Sequence, residues 1–311
     1  MYELVTADDL SARDVSIRIN SYTTVLRRKG VPYEAFDNYW RDVHGPLCSR
    51  IPGLAWYVQN HFSRERDSHL WPVVGDVRPF PDYVLDGGVE IGFASEEDQR
   101  LFNDACHLLF ADEQNVFEET LAYMLPTGSR TLLDHILDPN PNGADSFDRS
   151  HVHFGARDGD VASFRDFMTD LAGQISALEG VLKVRLHLPE IYDNAHPKPP
   201  APNVGHRVPQ ERTHIAIMEL AFVSPLARRT AFASKVFRST ADAQTQHLRF
   251  VTAFPVNAIY TYVRDKQLTT AGLRGSRQAE LIAQLGAVNQ IQPEIAHLLQ
   301  FGRMLPTQNS Q

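Results

Sequence analysis

The chain has 311 residues, enough for one large or two ordinary domains. Its 43% hydrophobic and 22% charged residues suit a soluble globular protein, and a net charge of −8 argues against nucleic acid or an anionic membrane as the main partner. No apolar run reaches the ~20 residues of a membrane helix, and the acidic start MYELVTADDLSARD lacks leader character, so a cytoplasmic location is expected. The cysteines Cys48 and Cys106 are too few for a disulfide framework or a cysteine zinc site and read as core fillers.

In chain order, alternation predicts a strand over 16–27. An amphipathic helix follows over 33–50, with Phe36, Tyr39, Trp40, Val43 and Leu47 on one apolar face. Pro46 should weaken the helix end, and Pro52-Gly53 makes a turn into a strand over 54–62. Further on come a strand over 88–94, a helix over 95–108 continued near 113–120, and a strand over 129–134. A second series reads as strand 150–156, helix 160–178, strands 181–188 and 213–223, helix 224–247 and strand 257–263. The tail from Gly275 to Met304 reads as one or two helices with Leu281, Leu285 and Val288 as an apolar stripe, broken near Pro293. Two long Pro-rich connections, 63–87 and 189–212, read as surface loops or lids, with a partner site for the run HPKPPAPNVGHRVP as the second reading.

The two series are a repeat. Ser21–Val25 falls on Ser150–Phe154, Gly30 on Gly159, Val89–Ser95 on Met218–Ser224 and Pro126 on Pro255, all at a shift of 129 residues. Ala111–Gln114 falls on Ala241–Gln244 at a shift of 130. Each copy has the order βαββαβ, the ferredoxin-like unit, whose sheet must bury its helix-free face against another layer. The fold class expected is therefore α+β, two fused ferredoxin-like units forming a pseudo-dimeric α/β barrel with a helical C-terminal extension. Residues 1–137 would be the first unit, 138–149 a linker, 150–270 a second, degenerate unit and 271–311 the extension.

Tyr39-Trp40-x-x-x-His44-x-Pro46-Leu47, then Pro52-Gly53-Leu54 and Tyr57-Val58-Gln59-Asn60, resembles the EthD-like family of the dimeric α/β-barrel group, most closely over residues 20–62. The resemblance implies proton-transfer chemistry of lyase, dehydratase, isomerase or cyclase type, without a cofactor, on an aromatic, polyketide-like or lactone-like small molecule. A non-catalytic carrier of a hydrophobic metabolite and a metal- or haem-dependent enzyme are the alternatives. A small molecule is the expected partner, and a homodimer stays open.

Strand alternation assigns inward-facing side chains. Val152 and Phe154 should pack under helices, which turns His151 and His153 to the barrel together with Tyr22. Trp56, Val58 and Asn60, aligned with Lys183, Arg185 and His187, and the paired Glu90 and Glu219 join them; the side taken by Tyr260 and Tyr262 is undecided. His44 is the main catalytic candidate, because an imidazole exchanges protons near neutral pH. It stands beside a Gly-Pro expected to end its helix, and the second copy has Ala172 or Gly173 there. A dipole-favoured cap is its structural alternative. His151 and Glu219 complete the catalytic set, with Tyr22, Tyr39, Trp56, Asn60, Glu90, His153, Arg185 and His187 as substrate contacts. His151-x-His153 with Glu219 could ligate a metal, but spacing ties no third ligand to the pair, so no metal is expected. The nucleotide, P-loop, serine-hydrolase and zinc-protease motifs are all missing.

Overall fold

The structure, a computed structural model, describes residues 14–64, 70–157, 160–196 and 198–304. Gly159, which the repeat pairs with Gly30, lies outside the described residues.

The first half runs β1 (Ile19–Arg27), α1 (Tyr33–Tyr39), a π-helical turn (Trp40–His44), α2 (Gly45–Ser49), β2 (Trp56–Phe62), β3 (Gly87–Phe93), α3 (Glu96–Ala105), α4 (His107–Val116) and β4 (Phe117–Leu125). Its strands lie antiparallel in the order β4-β1-β3-β2. After β5 (Arg130–Asp134) and β6 (Asn142–Ala144) come β7 (Asp148–Ala156), α5 (Val161–Ser176), β8 (Val181–His187), β9 (Ile215–Phe222), α6 (Pro225–Ala233), α7 (Lys235–Arg238), α8 (Ala241–His247) and β10 (Leu248–Arg264). The order β10-β7-β9-β8 repeats that of the first half, so two ferredoxin-like units are fused in one chain. The repeat includes a cap: Ser95 accepts a hydrogen bond from Asp98 N at the start of α3, and Ser224 accepts one from Ala227 N at the start of α6.

Exchange of strand ends joins the two sheets. The front of β10 pairs with β7, and from Val256 onward β10 pairs with β2 of the first half. Reciprocally, β4 pairs with β1, and β5 crosses to pair with β8. Helices cover the outside. Val25, Val89 and Phe93 pack with Phe36, Trp40 and Phe102, while Val152 and Phe154 pack with Phe164, Met168 and Leu171. The C-terminal segment adds β11 (Gln267–Leu268), α9 (Thr270–Arg274), α10 (Ser276–Gln284) and α11 (Pro293–Phe301). Leu281, Leu285 and Val288, read as a packing stripe, stay exposed.

Five expectations need correction. Residues 117–120 belong to β4, because helix α4 stops at Val116 and alternation then sends Leu121, Tyr123 and Leu125 into the barrel. The strand expected over 257–263 begins at Leu248, and that expected over 129–134 joins the opposite sheet. The stretch 138–149 is not bare linker, since β6 pairs with β10. Finally, Gly45-Pro46 does not end the first helix; the chain runs on to Ser49 through the π turn. Tyr260 and Tyr262 face the helices, leaving Ile259 on the inner wall.

Candidate functional site

A cavity of about 330 Å³ lies between the outer face of the first sheet, the π turn and helices α2–α4. Trp40, Phe93, Phe102, Leu109, Phe110 and Phe117 give it an apolar wall, and Tyr192 and Asn194 reach it from the long connection of the second half. A few polar side chains, among them His44, Gln99, Asn103, Glu113 and Thr120, line the same space. A mostly apolar pocket with a few convergent polar groups suits a small organic molecule.

The π turn positions His44 there. Gly45 N–H reaches back five residues to the Trp40 carbonyl, and Pro46 has no N–H to offer Arg41. The Tyr262 hydroxyl donates to the stranded Arg41 carbonyl at 2.6 Å. The extra residue also shifts the apolar stripe: Val43, expected on the buried face, is 47% exposed, whereas Trp40 and His44 are buried.

His44 Nδ1 meets Asp112 Oδ2 at 2.8 Å, and with Nδ1–H donating, Nε2 keeps its lone pair. Nε2 has no hydrogen-bond partner among the described residues, and the ring lies edge-on to Phe117 in the cavity wall. Tyr39 donates to the other Asp112 oxygen at 2.5 Å, and Asn115 Nδ2 donates to that same oxygen at 3.1 Å. Burial would raise the Asp112 pKa, but the bonds from His44 and Tyr39 outweigh it and hold the carboxyl below its ordinary value. Tyr39, expected to touch substrate, instead braces Asp112. Asp42, two residues from His44, bonds Arg41 and takes no part.

The next residue, Glu113, lines the cavity and was missed from the sequence. Burial pushes its carboxyl up to about 8, against a single donated bond from Thr120 Oγ1 at 3.1 Å, so it is neutral at pH 7. His206, from the second-half connection, sets Nε2 3.8 Å from Glu113 Oε2. The repeat held a usable signal: Ala111–Gln114 and Ala241–Gln244 differ only where Glu113 faces Ala243, so this carboxyl, like His44, is peculiar to one copy. Cys48 and Cys106 also line the wall, and burial raises both thiol pKa values, which keeps them protonated.

The other expected site residues lie across the sheet. Tyr22 sits in the barrel with its hydroxyl 2.7 Å from His151 Nδ1 and 3.3 Å from His153 Nε2. Tyr83 bonds His153 Nδ1 at 2.8 Å, and Ser129 bonds His187 Nδ1 at 2.7 Å. These rings are buried against one another, so side chains fill the barrel around them. Burial pushes His151 down to about 3 and His187 down to about 4, too low for either to serve as a base near neutrality. Glu90 pairs with Arg185, its Oε2 3.1 Å from Nε. Glu219 pairs with Arg149 at 2.8 Å and Lys183 at 2.9 Å. Burial would raise Glu219, yet Lys183 and Arg149 hold it well below the carboxylate range. Glu90, Glu219, Arg149 and Lys183, with Trp56 and Asn60, border a second cavity of about 330 Å³ at one end of the barrel. The expected trio of His44, His151 and Glu219 is therefore split by the first sheet.

Among the described residues no group of three or more His, Cys, Asp or Glu side chains could hold a metal, and no helix is long and apolar enough to cross a membrane.

Residues 28–119 match the family model described as EthD domain, which bears out the resemblance read from the residues over a stretch holding His44, Asp112 and Glu113. No curated protein matches the sequence. Among solved structures the chain is similar to an anthrone oxidase-like protein at 8% identity and TM-score 0.49, over 81% of this chain and 96% of that one. It is also similar to a candidate monooxygenase from Fusobacterium nucleatum at 7% identity and TM-score 0.48, over 82% and 97%. A dye-decolorizing peroxidase from Bacteroides thetaiotaomicron follows at 7% identity and TM-score 0.40, over 83% and 95%. None of the three bears on chemistry.

Proposed function

We propose that this protein is a small-molecule enzyme that moves protons on an aromatic or polyketide-like substrate in the helix-side cavity of its first half. The observation that carries this reading is the Asp112–His44 pair, which aims an unpaired imidazole nitrogen into an apolar pocket also lined by the neutral carboxyl of Glu113.

His44 Nε2 takes a proton from a carbon beside a substrate carbonyl, and the carbonyl oxygen receives a hydrogen bond, then a proton, from Glu113. The product of that step is an enol, with His44 charged and Glu113 ionised. Return of the proton to a different carbon isomerises the substrate. Expulsion of a β-hydroxyl group, protonated by His44, eliminates water instead. Both outcomes belong to the lyase and isomerase classes, and the steps need no cofactor. Asp112 stabilises the imidazolium that forms.

The test is deuterium exchange at the α-carbon of an aromatic ketone such as 2-tetralone, followed by NMR. Wild type should accelerate exchange, and His44→Ala should lose about 10²–10⁴ of the rate while still binding the ketone. Binding without exchange in the wild type would overturn the catalytic reading and leave a carrier of hydrophobic metabolites.

A further inference from the structure

The cavity at the end of the barrel is built differently from the one at His44. Asn60 and Thr261 stand on its wall, 4% and 1% exposed, and their Oδ1 and Oγ1 atoms have no hydrogen-bond partner among the described residues. Asn60 pairs with Ile259 across β2 and β10, and Thr261 pairs with Val58, so the two polar side chains leave the same face of adjacent strands. A buried polar atom without a partner is costly, and native proteins leave few of them. Two on one cavity wall mark a place where a ligand supplies the missing bonds.

The charges around the cavity define that ligand. Glu219 is neutralised by Arg149 and Lys183, and Glu90 by Arg185. An anion entering here would compete with Glu219 for its cations and strand a buried carboxylate. A cation would have to displace Arg149 and Lys183 from Glu219; of the other lining carboxylates, Asp134 lies 3.9 Å from Lys183, and Asp138 and Asp265 are exposed at the rim. An apolar molecule would leave Asn60 Oδ1 and Thr261 Oγ1 unsatisfied. The carboxylates only accept hydrogen bonds and the cations only donate them, whereas Asn60 and Thr261 do both. A molecule whose own groups each donate and accept matches all of these.

We propose that the barrel-end cavity binds a neutral polyhydroxylated small molecule of about monosaccharide size. Its hydroxyl groups donate to Asn60 Oδ1 and accept from Lys183, while Val58 and Ile259 pack against its carbon skeleton. This site lies across the first sheet from His44 and does not depend on the chemistry proposed there.

Saturation-transfer NMR on the full chain tests it, with D-glucose and myo-inositol as probes and a sugar phosphate as the charged comparison. The polyols should receive saturation from the wild type and from His44→Ala alike. In Asn60→Leu and Thr261→Val the affinity should fall by about tenfold or more. Thr261→Val is nearly isosteric and removes only an unsatisfied hydroxyl, so without ligand it should melt no lower than wild type. It therefore keeps the test decisive if Asn60→Leu fails to fold. Saturation of neither polyol, equal saturation in a folded variant, or a preference for the sugar phosphate would each overturn the proposal.

Discussion

Gly45 lies so close under Tyr262 that a methyl group placed on it would fall 2.5 Å from the tyrosine ring. The same tyrosine caps the Arg41 carbonyl that the π turn strands. Helix and strand are thus locked at the residue that follows His44.

Gly45→Ala should destabilise the protein by roughly 1–3 kcal/mol through overpacking, measured by urea unfolding. In a Tyr262→Leu background the added methyl should cost much less. An equal cost in both backgrounds would mean that the tyrosine is not what the methyl strikes.

Asp112→Asn should lower turnover by about tenfold or more with the ketone affinity nearly unchanged, because it removes the charge that stabilises imidazolium. Tyr39→Phe, which removes one donor to Asp112, should act in the same direction and more weakly. A rise in KM at unchanged kcat in both variants would assign these residues to binding instead.

The Glu113 carboxyl titrates at about 8 in the folded protein, against 4.5 for the unperturbed group. Between these values the folded chain holds a proton that the unfolded chain has lost, so stability falls as pH rises through the window. Glu113→Gln should flatten that slope and melt higher than wild type above about pH 8. The rate should fall on the alkaline side with an apparent pKa near 8, and Glu113→Gln should abolish that limb. An alkaline limb that survives the substitution would have to come from another group.

Acid should act on the opposite side of the first sheet. His151 and His187 are held neutral down to about 3 and about 4 by burial, against an ordinary 6.5. As pH falls below 6.5 the unfolded chain gains protons that the folded chain refuses, and stability is lost. His187→Gln should reduce the slope of melting temperature against pH between about 6 and 4. The readout is the slope, which an ordinary packing defect would leave unchanged.

What the sequence disclosed is what local pattern encodes. Alternation at Ser150–Phe154 correctly turned His151 and His153 inward, and the offset repeat pointed to the strand order that both halves share. The π turn was hidden because Gly45-Pro46 is an ordinary helix stop unless a distant tyrosine rescues the exposed carbonyl. Glu113 was not singled out, since its burial depends on His206, far along the chain, as well as on Thr120 of the adjoining β4. The strand starting at Phe117 was obscured because Val116 and Phe117 are adjacent and both buried, although one closes a helix and the other opens a strand. Pattern along the chain cannot mark a change of layer within a single peptide bond.

Because β10 supplies an edge partner to β2, the first half of the chain leaves the ribosome with an unfinished sheet. Its missing neighbour starts at Val256, nearly two hundred residues behind the strand that awaits it. Until then β2 offers open backbone groups to any other nascent chain in reach. Production should therefore suffer from crowding on polysomes more than from low final stability, and slower initiation should improve the soluble yield. Cutting the gene between the halves should give two aggregating fragments, which become soluble when expressed together.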